Sequence, residues 1–123
     1  MALGVRPHTI SSDIYCRNRV KGPVYGLAPV MSKFLLLGMS LNEVIECVTS
    51  RPAALFRLRG KGQLEIGADG DLTLFDIEAA PRQVEDCEGE TAICTRNIIP
   101  LAAIVAGELL LTEQGKATYD VRL

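Results

Sequence analysis

Apolar residues in the first half of the chain recur at the spacing of α-helices. Four of them lie at positions i, i+4, i+7 and i+8 and share one helical face: Leu27, Met31, Phe34 and Leu35. The pattern predicts a helix that begins near Leu27 and stops at Gly38, because glycine readily adopts the left-handed backbone that ends helices.

The next residues indicate a second helix. Ser40 and Glu43 have the spacing of a capping box, in which each side chain accepts a hydrogen bond from a free backbone N–H. The buried stripe of this helix is predicted to contain Leu41, Val44, Ile45 and Val48. Pro52 should break the helix, and Ser50 is predicted to cap one further turn that runs through Leu55.

From residue 60 onwards the apolar period shifts towards two, and glycines punctuate the chain. This pattern predicts strands at residues 72–77, 82–85, 91–95, 98–105 and 108–111. Ala106-Gly107 is predicted to form a tight turn between the last two strands. The tail from Thr112 alternates through Tyr119, Val121 and Leu123, which predicts either an edge strand or a disordered end.

The start of the chain predicts one more strand. Residues 9–13 have β-branched character and end at Asp13, and residues 14–26 are rich in turn formers. The chain is therefore predicted to contain two units, an α/β unit at residues 1–58 and a β unit at residues 59–123.

Composition excludes several classes of protein. Hydrophobic residues make up 48% and charged residues 23% of the 123 residues, and the net charge is −2. Without a basic patch or a long apolar segment, neither nucleic-acid binding nor membrane insertion is expected, and no secretory signal is visible. We expect a cytoplasmic protein. The mean hydropathy of +0.20 indicates apolar surface that either more chain or a partner covers. Self-association is also expected.

The candidate metal ligands are few. The four cysteines have no C-x-x-C spacing, and the single histidine, His8, completes no usual zinc pattern with them. Reduced cysteines are expected, with a Cys87–Cys94 contact across a hairpin as the alternative. Asp69 and Asp71 are interpreted as part of a turn that opens a strand rather than as a calcium loop.

Three stretches of sequence together resemble the amidohydrolase superfamily, and within it the dihydroorotase-like deacetylases. They are PHTISSDIYCRNR at residues 7–19, VMSKFLLLGMSLNEVIECVTSRPAALFRL at residues 30–58, and GKGQLEIGADGDLTLFDI at residues 60–77. The resemblance covers residues 5 to about 110. It implies an α/β plus β architecture: the last strand and helices of a TIM-type (β/α)8 barrel, followed by the C-terminal part of a small β-sandwich domain.

The resemblance also implies a site. Asp13 matches the family's aspartate at the end of the eighth barrel strand, which binds a divalent metal, expected to be zinc, and transfers a proton. The loop that follows should contact a small amide or cyclic amide substrate. The residues expected to make those contacts are Arg17, Arg19, Gly22, Pro23 and Tyr25.

Much of the family's machinery has no counterpart in these 123 residues. A (β/α)8 barrel needs roughly 250 residues, and the family's H-x-H pair, bridging lysine or glutamate, and later histidines are missing. We therefore expect a C-terminal fragment that is inactive and binds no catalytic metal by itself. The alternative is a non-catalytic structural or interaction module. An H-x-H motif encoded upstream of Met1 would favour the fragment, and a natural start at Met1 would favour the module.

Overall fold

In the computed structural model, residues 4–22 and 26–118 are described, and the side chains of residues 17–19 are not. This part of the chain contains helices α1 to α5 and strands β1 to β5. The helices are Cys16–Lys21, Leu27–Leu36, Leu41–Val48, Ser50–Leu55 and Glu113–Thr118. The strands are Leu72–Glu78, Arg82–Glu85, Thr91–Cys94, Asn97–Val105 and Glu108–Leu111. None of the helices in this part of the chain has the length and apolar character needed to cross a membrane.

Helix α2 begins at Leu27 and its end is closed at Gly38, as predicted. Gly38 has a φ of 91°, and its N–H donates to the carbonyl of Leu35 at 3.1 Å. The N–H of Met39 donates to the carbonyl of Phe34, also at 3.1 Å. These two bonds form a Schellman motif, which satisfies carbonyls that the helix itself leaves unbonded.

Helix α3 begins with the predicted capping box. The backbone N–H of Ser40 donates to Glu43 Oε2 at 2.9 Å, and the N–H of Glu43 donates to Ser40 Oγ at 3.3 Å. Val44 and Cys47, on the inner face of the helix, are completely buried. The short helix α4 follows as expected, but the predicted cap at Ser50 is wrong: Thr49 precedes the helix, and no side chain caps it.

The predicted strand at residues 9–13 is wrong, because these residues form no strand. A strand is held by a ladder of hydrogen bonds to a neighbouring strand, and no described strand pairs with this segment. Instead, the N–H of Ile10 donates to the carbonyl of Cys47 at 2.9 Å. The region predicted as a loop at residues 14–26 contains the six-residue helix α1.

The β part confirms all five predicted strands to within a residue or so. Strands β1, β4 and β5 form an antiparallel sheet in the order β1-β4-β5, with Leu72 opposite Ile104. The register shifts between Leu74 and Phe75, which face Ala102 and Pro100. A proline in a central strand removes a ladder hydrogen bond, and a bulge is where a sheet tolerates that loss.

The hairpin between β4 and β5 contains the predicted tight turn. Ala106 and Gly107 both have positive φ, 50° and 86°, as a two-residue type I′ turn requires. Strands β2 and β3 form a separate two-stranded sheet in which Cys94 lies opposite Arg82. All four cysteines are free, so the Cys87–Cys94 alternative is wrong.

The tail contains a helix where a strand or disorder was predicted. Helix α5 begins after Thr112, whose Oγ1 accepts a hydrogen bond from the N–H of Gly115 at 3.0 Å. Gly115 is buried against the carbonyl of Leu101. The alternation at Tyr119, Val121 and Leu123 lies outside the described residues.

One apolar core joins the helices to the sheet. Its buried members are Ile10, Met31, Leu35, Met39, Val44, Cys47 and Ile98. Ser32 adds a buried polar link: its Oγ donates to the carbonyl of Ala28 and accepts from the N–H of Ile98, both at 2.9 Å. Buried polar groups need such partners, so this link helps to fix α2 on β4. The division at residues 58 and 59 stays a prediction.

Candidate functional site

Asp13 lies just beyond the point where the first segment is anchored to the core. Ile10 is buried and bonded to Cys47, whereas Asp13 is exposed and has a φ of 48°. Aspartate is one of the few non-glycine residues that visit this left-handed region readily. Helix α1 begins three residues later at Cys16. The backbone therefore turns sharply at Asp13 and leaves its carboxylate at the surface.

A second anchor, which the sequence analysis missed, holds the same segment through Cys47. The buried thiol of Cys47 donates to the carbonyl of Pro7 at 3.4 Å, and Arg51 Nη1 donates to Cys47 Sγ at 3.2 Å. Arg51 also pairs with Glu46 at 2.7 Å, and this hydrogen bond raises the pKa of Arg51. The spacing of Cys47 and Arg51, four positions apart in helical sequence, is the one signal that could have indicated their contact.

The expected substrate-contact residues are only partly described. Arg17 and Arg19 lie on helix α1, but their side chains are not described. Gly22 follows this helix with a φ of 70°. Pro23 and Tyr25 lie outside the described residues. Their assignment as contact residues therefore stays a prediction.

The described residues do not by themselves fit a catalytic divalent metal. Within residues 4–22 and 26–118, no group of three or more histidine, cysteine, aspartate or glutamate side chains is placed to hold a metal ion. A catalytic zinc ion is usually held by three protein ligands. His8 is exposed at the surface. Asp13 could therefore serve as a metal ligand only together with ligands from outside this part of the chain.

The glycine- and aspartate-rich signature forms an ionic cluster. Lys61 Nζ lies 2.8 Å from Asp69 Oδ2 and also pairs with Asp71. The N–H of Asp71 donates to the carbonyl of Asp69 at 2.9 Å, directly before β1 begins. This geometry confirms the interpretation of a turn that opens a strand.

Asp71 also joins this turn to the β4–β5 hairpin. Its Oδ1 accepts a hydrogen bond from the N–H of Ala106 at 2.9 Å. That bond, followed by the one from Lys61, lowers the pKa of Asp71, and the two carboxylates raise the pKa of Lys61. The K-G-x₄-G-x-D-G-D spacing of residues 61–71 is thus explained by the structure of the turn.

Two surface clefts lie along residues 50–72. The first, of about 380 Å³, is lined by Ser50, Ala53, Ala54, Arg57, Leu58, Arg59, Lys61, Gly62 and Gln63. The second, of about 410 Å³, is lined by Gln63, Leu64, Glu65, Ile66, Ala68, Asp69, Gly70 and Leu72. Asp13 lines neither cleft, so the candidate site and the clefts are separate features.

Comparison with known proteins shows that this chain is similar in sequence to deacetylases. Residues 64–110 match a family model described as a deacetylase-like composite domain. A deacetylase from Enterococcus faecalis is 44% identical over 106 residues, which cover 86% of this chain and 29% of that protein.

Solved structures agree with this match. The crystal structure of an adenine deaminase superposes with a TM-score of 0.87 at 42% identity, covering 90% of this chain and 30% of that one. A dihydroorotase structure gives a TM-score of 0.81 at 33% identity, covering 89% of this chain and 29% of that one. The chain thus spans about 30% of the length of these relatives. Sequence and fold agree on the conclusion that this chain belongs to the amidohydrolase superfamily and comprises one part of a fold of that superfamily.

Proposed function

We propose that this chain is the C-terminal part of a metal-dependent amidohydrolase that hydrolyses an amide or cyclic amide C–N bond. Its membership of the superfamily supports this proposal. So does its coverage of the Enterococcus faecalis deacetylase, of which it spans 29%. Asp13 is the one residue of the chain assigned to the chemical step. The other ligands and the metal-activated water would come from the rest of the enzyme.

The surface position of Asp13 suits this role. The hydrogen bonds of Ile10 and Cys47 hold the backbone that leads to Asp13 against the core. The side chain of Asp13 itself stays exposed. A divalent metal, zinc by our expectation, supplies a water of lowered pKa when it is bound in the assembled enzyme. A carboxylate can accept a proton from such a water and pass it to the leaving nitrogen.

The neighbouring residues complete the proposal. We assign substrate contacts to Arg17, Arg19, Gly22, Pro23 and Tyr25, because they follow Asp13 directly in the chain. Residues 1–58 would belong to the barrel and residues 59–123 to a small β-sandwich-like domain. The substrate would be a small amide, and the protein would work in the cytoplasm.

A covalent chimera tests the role of Asp13. In the Enterococcus faecalis deacetylase, the matched stretch would be replaced by this chain, and hydrolysis of N-acyl amino acids and dihydroorotate would be measured. We expect turnover in the chimera and a loss on the order of 10² to 10⁴ in kcat for Asp13→Asn, the usual size of an acid–base contribution. The isolated chain, with added zinc, should stay at background.

The matched control is Asp76→Asn. Asp76 is also exposed, and its carboxylate accepts a local hydrogen bond from the N–H of Ile77, which asparagine can retain. The control should keep kcat within about twofold. Equal activity of the Asp13 and Asp76 variants, or Asp13-dependent turnover by the isolated chain, would contradict the proposal. Metal content measured on the same samples would separate loss of metal from loss of proton transfer.

The alternative is a non-catalytic structural or interaction module derived from the same superfamily. The described residues contain no three-ligand metal cluster, which both proposals accommodate. The DNA upstream of Met1 discriminates between the two proposals. A continuous reading frame that encodes an H-x-H motif supports the enzyme, and its absence supports the module.

A further inference from the structure

The first cleft is positively charged, although the chain as a whole is acidic. Its lining contains positively charged side chains and no negatively charged one, and the cations are Arg57, Arg59 and Lys61. The net charge of the chain, by contrast, is −2. The volume of about 380 Å³ lies within the range of small-molecule sites, which begins at about 300 Å³. The cleft therefore has the charge and the size to bind a small anion.

The two arginines of this cleft have no carboxylate to neutralise them. Lys61 pairs with Asp69 and Asp71, so two carboxylates offset its charge. Arg57 and Arg59 are both exposed, and within residues 4–22 and 26–118 neither of them takes part in an ion pair. Their guanidinium groups keep their full charge and their N–H donors for an anion from outside the chain.

The backbone of Arg57 is unfavourable for an arginine. Arg57 has a φ of 55° and closes the end of α4, where its N–H donates to the carbonyl of Ala54 at 3.2 Å. Glycine is the usual residue at such a position, because other residues pay a steric cost in the left-handed region. The helix dipole favours a cation anywhere in the last turn, so it does not explain an arginine here. Strained residues of this kind are enriched at functional sites.

The rest of the lining suits an organic phosphate. Ser50 adds a hydroxyl group beside the cations, and one side of the cleft is apolar, with Ala53, Ala54 and Leu58. The planar fork of a guanidinium group matches the oxygens of a phosphate. A phosphate monoester carries about −1.5 to −2 charges at pH 7, which two arginines balance. A carboxylate, with one charge, would leave one arginine unbalanced.

We propose that the first cleft binds a small phosphate monoester, with the phosphate group on Arg57 and Arg59 and the organic group against the apolar side. Asp13 does not line this cleft. The site is thus separate from the residue assigned to the chemical step, and the inference goes beyond the proposed function.

A titration followed by NMR tests the site. Phenyl phosphate, inorganic phosphate and acetate would be added to the chain at low ionic strength, and calorimetry on the covalent chimera would repeat the comparison. We expect amide shifts at residues 57–63 and a Kd for phenyl phosphate below about 1 mM, with weaker binding of inorganic phosphate and the weakest of acetate. Equal binding of the two phosphates would overturn the role of the apolar side. Acetate binding as tight as phosphate, or no binding at all, would overturn the site.

A matched pair of arginine variants separates the cleft from the overall charge. Arg59→Ala and Arg96→Ala remove the same charge from exposed positions that lie outside the described ion pairs, but Arg96 does not line the cleft. A hydrogen bond to a charged group is strong enough that Arg59→Ala should weaken binding of phenyl phosphate at least about tenfold. Arg96→Ala should change it less than about twofold. Equal losses would show that net charge alone attracts the anion.

Arg57→Gly separates binding from stability. Glycine adopts the backbone of Arg57 without strain, so this variant should unfold at a temperature no lower than the wild type while its affinity for phenyl phosphate falls at least about tenfold. Unchanged affinity, or a lower unfolding temperature, would overturn the role given to Arg57. Asp13→Asn should leave the affinity unchanged, so that failure of the catalytic proposal and failure of this one are distinguishable.

Discussion

At the scale of single residues, Glu43 shows how one carboxylate serves two segments. It accepts hydrogen bonds from the backbone and side chain of Ser40, and it pairs with Arg6 of the first segment. The hydrogen bonds from Ser40, followed by the contact with Arg6, lower the pKa of Glu43 from 4.5 to about 2. Since the pKa is lower in the folded protein, ionised Glu43 stabilises the fold at neutral pH.

This shift predicts a pH dependence. The stabilisation by Glu43 should be fully present above pH 4.5 and should be lost as the pH falls through about 2. We expect Glu43→Gln to lower the urea midpoint at pH 7 and to reduce the fall in stability between pH 4.5 and 2. Glu88→Gln, at an exposed loop position, is the control. Parallel pH profiles for the wild type and Glu43→Gln would contradict this prediction.

Whether a contact could be predicted from the sequence depended on how close its two residues lie in the chain. The partners of the capping box lie three positions apart, so the sequence alone predicted their contact. Asp13 could be assigned only through the resemblance of its flanking residues. The contact between Cys47 and Pro7 links positions forty apart, and no local pattern indicates it.

At the scale of elements, helix α5 lies close to the backbone of β4 at Gly115. A Cβ on Gly115 would lie 1.9 Å from the carbonyl oxygen of Leu101. Within a helix, alanine is more favourable than glycine by about 1 kcal/mol. However, no side-chain rotation relieves a clash between a Cβ and a backbone atom. The tertiary contact therefore outweighs the helix propensity.

Gly115→Ala should consequently destabilise the protein by roughly 1–3 kcal/mol, the usual range for overpacking. The matched control is Gly70→Ala, where a Cβ would meet its nearest neighbour, the N of Gly107, at 3.8 Å. Thermal unfolding would measure both variants, and the control should stay within about 0.5 kcal/mol of the wild type. A Gly115→Ala variant as stable as the control would show that α5 does not pack on β4 in this way.

Elements with strong local signals were predicted well. Helices α2 and α3 have caps and apolar stripes of their own, and each β-hairpin pairs strands close in sequence. The segment at residues 9–13 carries β-branched residues but forms no strand, because a strand requires a neighbour. Propensity alone could not supply that neighbour.

At the scale of the whole molecule, the exposed apolar side chains around β1 predict self-association of the isolated chain; they include Leu64, Ile66, Leu72, Leu74 and Leu109. Two copies can reduce the exposure of these side chains by covering each other. Light scattering should give a mass above that of the monomer as concentration rises, and Ile66→Lys should shift the mass towards the monomer. A strictly monomeric wild-type chain at every concentration would contradict this prediction.

The sequence by itself determined the local architecture: two capped helices, five strands, the tight turn at Ala106-Gly107 and the family signature. These features depend on contacts between residues near one another in the chain. Only the tertiary structure decided that residues 9–13 pack on α3 without pairing, that residues 113–118 form a helix on β4, and that Lys61 joins two aspartates. Such outcomes depend on which distant groups meet, and the free energy of burial and pairing then outweighs local preference.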